Sequence, residues 1–324
     1  MKVCIIGAGI IGRVHLATLK NGGYDIIAVC DIDLSRANKV IEEFSLQAKA
    51  YSDYKEMLLT ERPDGVHICT PHYLHAEMII FALNNDINVL CEKPLCIKTD
   101  DIDKILLAEQ SSNAILGVCH QNRYNKENLF IKDYLSSKKV ISAHGQMVWH
   151  RDKAYYAQGE WRGKWDTEGG GVLINQALHT LDLMQWLLGV PTSLSATIDN
   201  VHLKDAIEVE DVAFINMDDG RYTFFATTCA GADFPVQLTF KLDDGSIVQV
   251  TDGNVIKDGQ VIFSSLTDLG FGKECYGSGH IALINDFYAH VKDGKKFFID
   301  GKEASKVIKI ILATYQSKGN KITL

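Results

Sequence analysis

The sequence predicts an α/β protein in two parts. A doubly wound parallel sheet comes first, and an α+β region built on a large, open, mainly antiparallel sheet follows. Three observations predict this. Through residue 121, short apolar runs alternate with amphipathic helical segments, the order of a parallel sheet with crossover helices. From Ile141 the pattern turns to strands, two pairs of which flank Asp-Gly turns. Between those strands lies a glycine-led segment, Gly169 to Gly189, with the apolar spacing of one long amphipathic helix. The expected domains are residues 1–121 and 122–324, with a last helix near 303–318 that packs back on the first.

Composition narrows the function. The 324 residues are 46% hydrophobic and 23% charged, which is ordinary for a globular protein. Net charge is -8 and basic runs are short, so neither nucleic acid nor an anionic membrane is an expected partner. No apolar run reaches membrane length, and the start, MKVCIIGAG, lacks a signal peptide's apolar core and cleavage site. A cytoplasmic protein is expected. The eight cysteines, Cys4, Cys30, Cys69, Cys91, Cys96, Cys119, Cys229 and Cys275, form no CxxC pair. They read as reduced thiols, several of them in buried apolar runs, with no disulfide framework and no metal site.

Taken in order, Lys2 to Ile6 is a strand running straight into Gly7-Ala8-Gly9-Ile10-Ile11-Gly12, and Arg13 to Lys20 is helical. Strand, GxGxxG, helix is the context of the dinucleotide fingerprint, so this half is expected to be a Rossmann domain. Gly7 serves the tight turn, Gly9 a close approach of backbone to pyrophosphate, and Gly12 the packing of helix on strand. The helix N-terminus offers free N–H groups to the phosphates. Ile26 to Cys30 is the next strand, and Asp31 follows it about twenty residues past the glycines, where an acid binds ribose hydroxyls. A carboxylate there repels a 2′-phosphate and favours NAD over NADP. Asp33 adds to that charge, while Arg36 argues the other way, since an arginine can pair with such a phosphate.

The alternation continues with helices over 35–44 and 54–60 and a strand over 65–70 that ends in Pro71. His72 and His75 precede a helix over 76–84. They lack a third metal ligand, so contacts near the helix start or to the cofactor, shared with Thr70 and Pro71, are the favoured reading. Asn88 to Cys91 is a strand delivering Glu92-Lys93-Pro94 to the edge where open α/β sheets bind ligands. Pro94 stiffens the backbone, so Lys93 either points into a cleft or is a surface lysine paired with Glu92. A helix over 100–110 and a strand over 114–119 follow, and Gln121 closes the list of expected cofactor contacts.

In the second half, Asn125 to Ser136 is helical. Strands are expected over 141–149, 194–201, 212–217, 222–229, 236–242 and 246–251. The glycine-led helix packs on one face of this sheet, and exposed apolar residues on the other would favour a dimer. On that helix Asn175, His179 and Asp182 are spaced to share one face. The preceding loop carries His150, Arg151, Tyr155, Tyr156, Trp161, Arg162 and Trp165. Such rings and guanidinium groups fit a sugar-lining surface and a domain-packing plug equally. Tyr276 to His280 opens a helix over 281–291, as a cap or as a substrate loop.

The fingerprint at Gly7, the Glu92-Lys93-Pro94 tripeptide and the glycine-led helix carrying His179, in this order, resemble the Gfo/Idh/MocA oxidoreductases. Those are the relatives of glucose–fructose oxidoreductase and inositol 2-dehydrogenase. The resemblance spans essentially the whole chain. It implies bound NAD(H) or NADP(H), a sugar or polyol substrate, and a homodimer or homotetramer formed through the sheets. It places Lys93 and His179 in the family's catalytic positions. Many members carry an aspartate where this chain has Asn175, and asparagine orients a hydroxyl without raising the basicity of His179. On this reading His179 takes the proton of a secondary alcohol as hydride leaves for the nicotinamide. Lys93 stabilises the charge developing on the oxygen, and Asn175 fixes a neighbouring hydroxyl. Asp182 supports the site from behind. Substrate contacts are expected from Lys93, Arg123, His150, Trp161, Arg162, Asn175, His179 and Tyr276. Two alternatives stand beside this one: an NAD-dependent glycosidase working by transient oxidation, and a non-catalytic dinucleotide-binding regulator.

Overall fold

A computed structural model describes residues 1–265 and 279–324. The described strands and helices run in chain order as β1 (Lys2–Ile6), α1 (Ile10–Asn21), β2 (Asp25–Cys30), α2 (Leu34–Glu43), β3 (Lys49–Tyr51), α3 (Tyr54–Glu61), β4 (Gly65–Ile68), α4 (His75–Leu83), β5 (Asn88–Cys91), α5 (Thr99–Ser111) and β6 (Leu116–Val118). Then come α6 (Lys126–Ser136), β7 (Val140–Val148), α7 (Lys153–Tyr156), α8 (Val172–Asn175), α9 (Leu178–Leu188), β8 (Ser193–Asp199), β9 (Val212–Met217), β10 (Tyr222–Thr227), β11 (Gln237–Leu242), β12 (Ile247–Thr251), β13 (Asn254–Lys257), β14 (Gln260–Ser264), α10 (Gly279–Asp293), α11 (Gly301–Ser317) and β15 (Ile322–Thr323). None of the described helices is long and apolar enough to cross a membrane.

The chain forms two compact units. The first holds Met1–Gln121 together with α10 and the residues through Ser305, and the second begins at Asn122 and includes Lys306–Leu324. The sequence places α10 in the second domain, and three contacts explain its return to the first. The Tyr288 hydroxyl bonds His67 Nε2 at 2.9 Å. Val118 N–H donates to Ile299 C=O at 3.0 Å. Gly117 leaves room for the rings of Phe287 and Phe297, which a Cβ there would meet at 2.7 and 2.9 Å. Helix α11 from Lys306 onward is part of the second unit, where the Ser317 hydroxyl accepts the Ala196 N–H at 2.9 Å.

In the first unit the sheet order is β3-β2-β1-β4-β5-β6, with every pair parallel. Strands β1, β4 and β5 are almost wholly buried, as strands covered on both faces must be. The order reverses between β1 and β4, so the chain leaves these neighbours in opposite directions and opens a crevice at their carboxyl ends. Local chemistry sets the helix starts: Asp33 caps α2 by accepting the Ser35 N–H, and Asp53 caps α3 through Lys55 and Glu56. Strand β3 has only three residues, too short for its pattern to show in the sequence.

In the second unit the order is β14-β13-β12-β11-β7-β10-β9-β8-β15. All neighbours are antiparallel except β7 and β10. Ala143, Gly145 and Met147 of β7 face the same core as Phe224, Leu238 and Phe240. Four Asp-Gly pairs make the hairpins: Asp219-Gly220, Asp244-Gly245, Asp252-Gly253 and Asp258-Gly259, each glycine at positive φ. The last two lead into and join β13 and β14, strands the sequence reading left out although the same turn signal precedes each.

The glycine-led segment is not one helix. Ala177 N–H reaches back five residues to Val172 C=O at 2.8 Å, and the helix is interrupted between α8 and α9. Asn175 lies before the break, His179 and Asp182 after it, so the three do not continue one uniform face. The glycines answer to tertiary packing. A Cβ at Gly171 would overlap the Glu210 carbonyl, and one at Gly170 would overlap the Tyr315 hydroxyl. The Glu210 carboxylate accepts the Gly171 and Leu173 N–H groups at 2.8 and 3.0 Å and so closes the start of α8.

Candidate active site

The nucleotide end of the first unit is built from strand ends. After β1, Gly7 has φ 98°, and a Cβ there would overlap the Cys69 carbonyl oxygen. A Cβ at Gly12 would overlap the Gly7 carbonyl oxygen, so the loop and α1 touch. Gly9 differs: a Cβ there would meet nothing within 4 Å. The open space lies in front of the first turn of α1, whose N–H groups have no helical acceptor. Ile10 is 66% exposed and Ile11 half-buried beside it. A bare backbone facing open space at a helix N-terminus fits a pyrophosphate.

Asp31, at the end of β2, is more engaged than the sequence suggests. It is 6% exposed and accepts from Ala8 N–H, Asp33 N–H and Arg36 at 3.0, 3.0 and 3.2 Å. The bond to Ala8 braces the glycine loop, and Arg36 also reaches the second carboxylate oxygen at 3.4 Å, so the acid is held at the strand end where a ribose would lie. Arg36 lies between Asp31 and Asp33, at 3.2 and 3.8 Å. Ile32, next to Asp31, is 93% exposed, an apolar side chain at the rim that sequence reading overlooked.

Past β4, Thr70 and Pro71 lead into a short 3-10 turn over His72–Leu74. His75 is not a free cofactor contact. It is fully buried, and its ring nitrogens lie 2.7 Å from Pro94 O and 2.9 Å from Thr70 O, so it ties the β4 and β5 loops together. His72 is also buried, its ring 6.0 Å from that of His75. Past β5, Glu92 is 5% exposed while Lys93 is half-buried, and the Lys93–Pro94 bond is cis. Gln121, past β6, is 2% exposed. The sheet thus gathers the fingerprint, Asp31, Thr70, Pro71, Glu92, Lys93 and Gln121 at one edge.

The second unit holds a separate polar cluster around Tyr155. Its hydroxyl receives Arg162 at 2.7 Å, Gln176 at 3.0 Å and Asn175 at 3.4 Å. Asn175 also donates to the Glu168 carboxylate, which is fully buried and accepts the Gly163 N–H. The Arg162 guanidinium lies over the rings of Tyr155 and Trp161 at 4.7 and 4.6 Å. Glu168 and Gln176 were missed by sequence reading; the signal was an acid directly before the three glycines. His179 is half-buried at the start of α9.

Arg123, Asp182 and His150 each have partners within the protein. Arg123 is no substrate contact: it is 2% exposed and holds Asp182 through two bonds, at 2.7 and 2.6 Å. Asp182 is itself buried and accepts from both Arg123 and Gln185. His150 is exposed, its Nδ1 2.6 Å from Ala230 O and its N–H on Asp233, a link between β7 and the loop after β10. Tyr276 and Cys275 lie outside the described residues. The seven described cysteines are free thiols, six of them buried, and burial raises their pKa values.

A doubly wound sheet with a glycine cradle, an acid after β2 and a lysine after β5 defines a dinucleotide-binding protein with a second, open-sheet domain. Comparison with known proteins agrees. A family model described as an oxidoreductase family with an NAD-binding Rossmann fold matches residues 1–120, and the GFO/IDH/MocA C-terminal domain matches residues 139–255. The chain belongs to the Gfo/Idh/MocA oxidoreductase family, and its first domain is that family's NAD-binding domain. It is 29% identical over 191 residues to inositol 2-dehydrogenase of Salmonella typhimurium, a match taking in 58% of this chain and 54% of that enzyme. The chain thus aligns with only about half the length of these first curated relatives. With D-glucoside 3-dehydrogenase of Escherichia coli it is 26% identical, over 98% of this chain and 95% of that one. In structure it resembles the WlbA dehydrogenase of Bordetella pertussis, at TM-score 0.89 and 22% identity, over 100% of this chain and 97% of that one.

Proposed function

We propose that this protein is an NAD-dependent dehydrogenase that moves a hydride between the nicotinamide and a secondary alcohol of a sugar, polyol or sugar derivative. The observation that carries this is an ammonium, Lys93, delivered to the same sheet edge as the nucleotide loops. The relatives named for inositol and glucoside support the substrate class.

Within that reading the bound cofactor supplies the hydride acceptor. Lys93 donates a hydrogen bond to the reacting oxygen and stabilises its developing charge. His179 takes the hydroxyl proton, a general-base role open to an imidazole. Asn175 orients a second hydroxyl, itself held by Glu168 and Tyr155. NAD is favoured over NADP because Arg36 is already shared by two carboxylates and a 2′-phosphate would face Asp31 and Asp33. The working protein is a cytoplasmic homodimer or homotetramer with a small-molecule substrate and no nucleic-acid or membrane partner.

The test follows NADH formation across a panel of cyclic polyols, glycosides and their acids. His179→Ala is expected to lower kcat by about a hundredfold or more and to leave NAD affinity within about threefold. Near-normal turnover in that variant removes His179 from the mechanism. Tight NAD binding with every alcohol inert, or glycoside cleavage without net NADH, replaces the dehydrogenase by one of the other two readings.

A further inference from the structure

Behind Lys93, inside the first unit, lies one hydrogen-bonded chain of buried titratable groups. Glu92 Oε1 lies 2.9 Å from His15 Nε2 and 3.2 Å from His280 Nε2. Glu92 Oε2 accepts the Lys93 N–H at 3.2 Å. On its other side His15 Nδ1 lies 2.7 Å from His67 Nδ1, and His67 Nε2 lies 2.9 Å from the Tyr288 hydroxyl. All five side chains behind Lys93 belong to residues no more than 5% exposed.

With neutral rings, one placement of protons satisfies the chain. Ionised Glu92 only accepts, so His15 and His280 both donate from Nε2. His15 then presents a bare Nδ1, and His67 must carry its proton on Nδ1. The bare Nε2 of His67 in turn accepts from Tyr288. The titration directions agree. Burial pulls His15 and His67 below the usual imidazole range. Burial pushes Glu92 up, but the bonds from His15 and His280 outweigh it and hold the carboxyl well below its ordinary value. Every donor in the chain points toward Glu92, so the cluster carries a single buried negative charge with a defined orientation.

Hydride transfer uses none of these rings, and an apolar core would be cheaper to bury. We propose that His15 and His280 are positioning residues for Lys93 that act through Glu92. The two rings fix the carboxylate, and the carboxylate fixes the peptide from which the Lys93 side chain departs. His15 stands in the second turn of α1, so the helix whose N-terminus fits the pyrophosphate also sets the lysine. A buried metal ion is the competing use of these atoms, since the His15, Glu92 and Cys119 ligand atoms lie within 4.8 Å of one another. The spacing of Glu92 to His15 is that of a hydrogen bond, and the chain behind His15 requires a proton on its Nε2.

The functional half of this inference rests on the catalytic role of Lys93; its structural half does not. Amide hydrogen exchange of the full-length, cofactor-free protein reads the structural half directly. In His15→Leu and in His280→Leu the Lys93 amide is expected to exchange at least about tenfold faster, while the β1 amides keep their protection. His15→Gln, which retains a donor, is expected to restore most of the protection. Should His15→Leu lose the β1 protection and fail to fold, His280→Leu and Glu92→Gln make the same comparison. Unchanged exchange at Lys93 in the folded variants overturns the proposal. So does one tightly held metal ion per chain by elemental analysis. In turnover, His15→Leu should lower kcat about tenfold or more, with KM and NAD affinity within about threefold and recovery in His15→Gln. A wild-type protein inert to every alcohol fails the dehydrogenase reading alone, and the exchange result still decides this one.

Discussion

Glu210 shows how much one buried side chain can govern. Burial pushes its carboxyl up to about 7, although Leu173, Gly171 and Tyr315 all donate to it. A carboxyl whose folded value exceeds its unfolded one binds its proton more tightly when folded. Its contribution to stability is complete below about pH 4.5 and fades as pH rises through about 7. The difference is worth roughly 3 kcal/mol. Glu210→Gln should therefore flatten the fall in unfolding free energy between about pH 5 and 8, measured by urea titration. An unaltered slope would assign the pH dependence elsewhere. Sequence could not mark this residue, because its partners lie 39 and 37 positions earlier on the glycine turn.

At the scale of elements, the fingerprint separates packing from binding. Gly12 touches the Gly7 carbonyl, whereas Gly9 faces open space. Gly12→Ala should lower both stability, by about 1–3 kcal/mol, and NAD affinity. Gly9→Ala should leave stability within about 0.5 kcal/mol and weaken NAD binding about tenfold or more. Thermal melts with and without NAD distinguish them, and a Gly9 variant that binds normally would move the pyrophosphate away from α1. The motif was fully legible because it is local: strand, turn and helix sit within twenty residues. The glycine-led helix was only half legible. Its apolar period is genuine, but period cannot report the reach of Ala177 to Val172 that splits it. The strands β13 and β14 carried the hairpin signal yet were short, and β3 carried almost none.

For the whole molecule, the open face of the large sheet is the informative surface. Register sets His144 beside Thr223 and Thr239, Gln146 beside Phe225 and Gln237, and Phe214 opposite Phe225. This face is polar with an aromatic patch, and Phe214 is 45% exposed. A second copy laid on it would bury that patch, in line with the oligomer proposed above. Phe214→Glu should shift the mass measured by light scattering toward the monomer. An unchanged mass would place the interface elsewhere.

Sequence alone determined the alternation of strands and helices, the hairpins at 219 and 244, the glycine cradle and the arrival of Lys93 at a strand end. Those features depend on periodicity, turn chemistry and neighbours a few residues apart, all of which are written along the chain. Tertiary structure decided which side chains do which work. It gave Asp182 to Arg123, Asn175 to Glu168, His75 to two loop carbonyls and His15 to Glu92. Buried polar groups must find partners, and the partner is whichever donor or acceptor the fold carries within 3 Å, however distant in sequence.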